Sequence, residues 1–286
     1  MTLSADDYAC PPATARHKWA GILAEIGEIY HNNYSESSIE RIEKVFYDMI
    51  DLFMGRMEGY YKCDTKYHDL EHSLETTRLT AKIINKWNKK GEPPIISERF
   101  FELAIIAALL HDTGYIRKYG DIEGTGAKYT FIHEERSIEF AKKYMASIQY
   151  SKEAITSVEN MIICTILNAD LSKIKFSCEE ERIAGFSLGT ADLAGQMATS
   201  DYIKRLHHLF EEFKEGYQFE DIDNLKKKGI IIFESLDGLI RNIPDFYKSV
   251  AENHFEEMGS MYKFLEHDLL MSIEENVKFI KYHYDK

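Results

Sequence analysis

His111 and Asp112 stand side by side directly after a largely apolar run from Phe100 to Leu110. The run reads as a helix buried on most sides, with Gly114 placed to stop it, so the two polar side chains are delivered into the interior. Burying an imidazole beside a carboxylate is costly unless the pair is hydrogen-bonded or holds a metal, and the site therefore needs partners from elsewhere in the chain. His72 and Asp192 are the candidates. Asp192 is a lone acid among small and apolar residues of a helix expected over Glu179 to Met197, and metal binding is one explanation for an acid in that setting. Imidazole and carboxylate ligands suit a borderline or hard divalent ion such as Fe, Mn, Zn or Mg. Any one pair also reads as a hydrogen-bonded helix end; the ordered set of four is far more specific.

The elements that must position these groups are helices. Five prolines in 286 residues and long stretches of helix formers point to an all-α bundle, with His72, His111-Asp112 and Asp192 supplied by three different helices. Two amphipathic helices are expected first, from about Pro11 to Asn33 and Glu36 to Met57. The run Tyr67-His68-Asp69-Leu70-Glu71-His72-Ser73 then opens a third. Asp69 reads as its N-cap, with His72 one turn inside and His68 just outside; an earlier start would instead put both histidines on one face. Gly114 to Tyr129 reads as an exposed loop and a candidate lid, in which Lys118 and Lys128 could meet an anion. His133 begins the next helix, either as a ligand or water-holder or as a plain polar residue at a helix start. Further helices are expected over Lys152 to Leu167 and from Asp201 to a break at Gly216, followed by three more interrupted near Gly238, Pro244 and Gly259. No composition shift marks a separate domain. The expected organisation is N-terminal helices over 1–59, a metal-site core over 60–215 and a C-terminal helical cap over 216–286.

Composition narrows the partners. The formal charge is −13 and no extended basic face is present, so long nucleic acid is not an expected partner. The four cysteines, Cys10, Cys63, Cys164 and Cys178, are widely spaced without a CxxC pair, which suits a reduced protein and gives no thiolate zinc site. Met1 to Ala20 holds no apolar run of signal-peptide or membrane-span length; a cytoplasmic location without membrane contact is expected. Apolar stripes in the terminal helices would bury either a core or a homodimer seam.

With this residue set in order, the sequence resembles the HD superfamily of metal-dependent phosphohydrolases, whose signature is H…HD…D, over about Tyr60 to Phe213. Within it, Tyr67 to Ser73 is similar to the YHNxxHA opening of class I cyclic-nucleotide phosphodiesterases, and Thr190-Ala191-Asp192-Leu193 to their TADL segment. The resemblance implies His72, His111, Asp112 and Asp192 as metal ligands, with Asp112 able to bridge to a second ion, and His68 as the group that protonates the leaving oxygen. His133 falls near a later histidine pair that serves a second metal or water in relatives. Asp69 stands where the family has Asn, and Gly114-Tyr115 occupies the region of a further family histidine. The chemistry also follows from elementary grounds: an anionic phosphate ester repels nucleophiles, so hydrolysis needs charge neutralisation and an acidified water, which a divalent ion supplies. The expected function is hydrolysis of a small nucleotide-like phosphodiester. The alternatives are a nucleotide phosphomonoesterase, or a metal- or nucleotide-binding sensor without turnover.

Overall fold

In the computed structural model, residues 13–34, 38–91 and 93–284 are described. The expected starts at Pro11 and Glu36 lie outside them. Among the described residues, twelve α-helices run in the order α1 (Ala13–Asn33), α2 (Glu40–Phe53), α3 (Leu70–Lys90), α4 (Glu98–Leu110), α5 (His133–Ser147), α6 (Lys152–Ile163), α7 (Glu179–Met197), α8 (Tyr202–Phe219), α9 (Ile222–Lys227), α10 (Leu236–Ser249), α11 (Phe255–Glu257) and α12 (His267–Tyr284). Among the described residues there is no strand, only an isolated antiparallel bridge between Tyr60 and Lys118, and no helix is long and apolar enough to cross a membrane.

The architecture is built on α3 and α4. Because α4 is apolar around its whole circumference, it has no face to give to water and becomes the buried axis, with Phe101 and Leu103 through Leu110 almost entirely sequestered. Helices α2, α3, α6 and α7 pack around it, and α3 lies between α1, α4 and α7. The turn Thr113–Tyr115 docks on α5, and α8 covers the turn Gly126–Tyr129. Helices α10 and α12 pair with each other, α12 leaning on α7 and α10 on α8. One connected apolar core takes residues from α1 through to α12.

Several expected boundaries shift, each for a local reason. Helix α2 ends at Phe53, where Gly55 adopts a φ of 71°, and α6 ends at Ile163 because Thr165 Oγ1 donates to the carbonyl of Ile162 at 2.8 Å. Gly216 does not break α8. A Cβ there would meet the Phe131 ring at 2.8 Å, so its glycine serves close approach of that ring rather than helix termination. Gly238 lies in the first turn of α10, its N–H donating to the N-cap Ser235 hydroxyl at 3.1 Å, and Pro244 sits inside that helix without ending it. A five-residue π-helical stretch, Val250–His254, carries the chain on from α10 into α11.

The segment 114–129 is less open than its composition suggests. Residues 113–116 and 126–128 are buried, and only its middle reaches solvent. Arg117 pairs with Asp64 at 2.7 Å, Asp121 is bound by Lys128 and by the Tyr129 hydroxyl at 2.5 Å, and Glu215 of α8 holds Thr125. Lys128 therefore spends its ammonium inside the loop and is not free for an anionic ligand. Lys118 is exposed, beside a small cleft lined by Tyr60, Arg136 and Lys143.

Candidate metal centre

Three helices that pack on one another bring the first group of side chains together. His72 enters from the first turn of α3, which begins where Asp69 caps it: the Asp69 carboxylate accepts the N–H of His72 at 2.9 Å. This settles the helix start at Leu70 and leaves His68 just outside. His111 is the C-cap residue of α4. Its Nδ1–H donates to the carbonyl of Ala108 at 2.7 Å, and Thr113 Oγ1 donates to Leu110 O at 2.8 Å, so two of the helix's terminal carbonyls are closed by side chains. Gly114 serves a different purpose from the expected helix stop. A Cβ at this position would lie 1.9 Å from the carbonyl oxygen of His133, so its bare backbone lets the turn after Asp112 pass against the start of α5. Gly114 N–H donates to Ser137 Oγ at 2.8 Å and Arg136 Nε donates to Gly114 O at 2.7 Å, fixing that approach. Gly114→Ala is expected to lower unfolding stability by about 1–3 kcal/mol or more through overpacking, measured by denaturant melts.

The polar atoms converge. His72 Nε2 is 3.2 Å from Asp112 Oδ2 and 3.0 Å from Asp192 Oδ1, while His111 Nε2 is 3.3 Å and 3.4 Å from the same two oxygens. Ligand atoms of His72, His111 and Asp112 all lie within 4.8 Å of one another. Despite this crowding, His111 Nε2 and Asp112 Oδ2 are buried without a hydrogen-bond partner. Two orphaned buried atoms facing each other call for a cation between them. The spacing agrees: an ion held at 2.0–2.2 Å keeps neighbouring ligand atoms roughly 2.8–3.6 Å apart in octahedral or tetrahedral geometry. With Nδ1 of His111 committed to Ala108, Nε2 is the nitrogen that faces the acids and the one that can ligate once its proton is displaced. The residues present fit a divalent cation.

Charge is balanced in its absence by protons. Burial alone would push the His72 imidazole down, but Asp112 and Asp192 raise it to about 9; they likewise lift His111 well above its ordinary value against burial. Burial would raise both acids, yet the imidazoles hold Asp112 and Asp192 well below the usual carboxylate range. At neutral pH, uptake of a cation must therefore expel protons from His72 and His111. Affinity is expected to rise from pH 6 towards pH 9, by about tenfold per pH unit for each proton displaced, and to rise less steeply above the His72 value. Metal titrations across that range check the sign.

A second group lies beside the first. His68 Nδ1 is 2.6 Å from Glu212 Oε2, and the other Glu212 oxygen accepts the backbone N–H groups of Lys66 (2.9 Å) and Tyr67 (2.7 Å). Glu212 comes from α8 and is almost wholly buried. The Tyr115 ring, also buried, stacks on both His68, with centroids 4.5 Å apart, and His133, at 4.4 Å, and the two imidazole centroids are themselves 5.7 Å apart. Burial keeps the Tyr115 phenol neutral. His133 donates from Nδ1 to Thr130 O at 2.8 Å and leaves Nε2 3.7 Å from Asp112 Oδ1. It joins the site at the edge, away from the His72–His111 side.

Sequence reasoning named His68, His72, His111, Asp112, His133 and Asp192, and the fold gathers all six. It missed Glu212, which carried no signal beyond an acid on an amphipathic helix, and it does not decide whether Gln196 lines the pocket or stands on the polar outside of its helix. Gln196 lies inside the cluster, its amide 3.2 Å from Asp192 Oδ1.

No curated protein matches the chain. The HD domain family model matches residues 69–175, a span that holds His72, the His111-Asp112 pair and His133 and stops short of Asp192 and Glu212. With the all-α bundle and the buried histidine and aspartate cluster already in place, this match identifies the stretch as an HD domain, the unit of a superfamily of metal-dependent phosphohydrolases.

Proposed function

We propose that the protein is a metal-dependent phosphodiesterase of the HD superfamily acting on a small nucleotide-like diester, with one or two divalent ions at His72, His111, Asp112 and Asp192 and His133 at the margin of a second position. The observation that carries this reading is the pair of orphaned buried atoms, His111 Nε2 and Asp112 Oδ2, lying beside an imidazole anchored by its own carboxylate. A cation bound there would neutralise phosphoryl charge and acidify a water.

The chain's residues supply the rest. Asp112 and Asp192 would help to hold the cation and offset its charge. Glu212 accepts from His68 Nδ1 and so supports the doubly protonated ring, whose Nε2 proton His68 gives to the departing alkoxide as general acid. The two backbone N–H groups on Glu212 keep that carboxylate in place, so the acid's orientation is tied to the chain entering α3. Tyr115 packs against both the His68 and His133 rings and helps to fix their orientation. A diester is favoured because its alkoxide leaving group needs such an acid, and because Tyr67-His68 and Thr190 to Leu193 are similar to class I cyclic-nucleotide phosphodiesterases. The core assigned to 60–215 would carry the reaction, and the wide cysteine spacing supports a cytoplasmic setting.

The test is hydrolysis by purified protein, supplied with Mn, Fe, Mg or Zn, of cyclic nucleotides, nucleoside mono- and triphosphates and a generic diester. Diester turnover that requires metal is expected. Turnover confined to monoesters would transfer the reading to a nucleotide phosphomonoesterase, and tight nucleotide binding without product would make the protein a sensor.

A further inference from the structure

Gln196 stands one helical turn beyond Asp192 on α7, so both side chains leave the same face. Its amide is held at both ends. The Tyr67 hydroxyl is 2.6 Å from Gln196 Oε1, while Gln196 Nε2 lies 3.2 Å from Asp192 Oδ1 and 3.4 Å from His72 Nε2. Which end is nitrogen follows from the partners: turning the amide over would aim its carbonyl at the Asp192 carboxylate, two acceptors facing each other. Tyr67 is buried and stays a neutral phenol, able to donate to Oε1. The chain of bonds therefore runs in one direction, from Tyr67 O–H to Gln196 and from the Gln196 N–H to Asp192.

The bonded oxygen of Asp192 is the one that approaches both His72 and His111. Tyr67, for its part, is the neighbour of His68 and gives its backbone N–H to Glu212 at 2.7 Å. Gln196 is thus the link between the aspartate of the metal centre and the segment that carries the candidate acid. Asp192 reaches the centre from mid-helix with 14% of its side chain exposed, against 2% for Asp112, so packing constrains it less and a directing hydrogen bond matters more.

We infer that Gln196, oriented by Tyr67, is a positioning residue that holds the Asp192 carboxylate in the rotamer a divalent cation requires. The inference rests on the metal reading of the site. Outer-sphere hydrogen bonds of this type change metal affinity by about tenfold to hundredfold when removed.

The experiment measures Mn and Zn dissociation constants by competition with a chromophoric chelator, for the wild type, Gln196→Met, Tyr67→Phe and the double variant, with thermal unfolding of each metal-free protein alongside. Gln196→Met keeps the side chain's length and removes its polar atoms. It is expected to weaken binding by about tenfold or more with little change in metal-free melting temperature. Tyr67→Phe should shift affinity in the same direction, and the double variant should bind no more weakly than Gln196→Met, because the hydroxyl acts only through the amide. Wild-type affinity in Gln196→Met, or full additivity of the two changes, would overturn the inference while leaving the metal centre standing. Wild-type protein that takes up no divalent ion would overturn both. Should Gln196→Met not fold, Tyr67→Phe alone decides, since an unchanged dissociation constant there breaks the link.

Discussion

Asp112→Ala is expected to abolish hydrolysis, with kcat/KM falling at least about a thousandfold and bound metal lost in parallel. Asp112 is the acid nearest the centre of the cluster: one oxygen lies 3.2 Å and 3.3 Å from the His72 and His111 nitrogens, and the other faces His133 at 3.7 Å. Its removal takes away half of the negative charge that makes a cation welcome in a buried setting. Cation stabilisation of a phosphoryl transition state is worth several kcal/mol, and each 1.36 kcal/mol is tenfold in rate. The variant should still fold. Without Asp112, burial drives the imidazoles towards their neutral forms, so no uncompensated charge is stranded. Metal content per chain, determined together with kcat/KM, separates this result from general unfolding, which far-UV circular dichroism would reveal.

The second large effect is expected at His68, and its signature is different. His68→Ala should reduce kcat by about a hundredfold to ten-thousandfold for a diester with an alkoxide leaving group, while metal content stays at the wild-type level. A nitrophenyl diester, whose leaving group departs without protonation, should lose far less. Glu212→Gln should reproduce much of the defect. Its amide can still accept from Lys66 and Tyr67, but it would present an N–H to His68 Nδ1 and oppose the doubly protonated ring that a general acid needs. Equal losses on both diesters would show that His68 serves binding or structure rather than proton transfer. Measuring the two substrates side by side makes the distinction without any assumption about absolute rates.

The parts of this site that could be read in the chain are those whose signals are local. The apolar run before His111-Asp112 announces a buried helix, and Asp69 three residues before His72 announces a cap; both features are found as their spacing implies. Asp192 was legible because an acid among Ala, Gly, Thr and Leu has no surface to explain it. Glu212 was not legible, since it meets His68 across 144 residues and its neighbours on α8 are the mixture any half-exposed helix carries. Gln196 stays undecided from sequence for the same reason. Gly216 misled because a glycine costs about 1 kcal/mol in a helix interior, and only the Phe131 ring pressed against it reveals what offsets that cost. The loop 114–129 misled through its glycines and charges, whose ion pairs, among them Asp64 with Arg117 and Asp121 with Lys128, bind it down instead of leaving it open.

The most direct test is to strip the protein with a chelator, add back Mn in steps and follow bis(4-nitrophenyl) phosphate hydrolysis at each step. Activity absent from the stripped protein, restored to a plateau by one or two equivalents of metal and missing throughout in Asp112→Ala, is the expected result. Turnover that survives chelation, or a metal-loaded protein that cleaves neither this ester nor any nucleotide, would contradict the assignment of His72, His111, Asp112 and Asp192 as the centre of a phosphohydrolase.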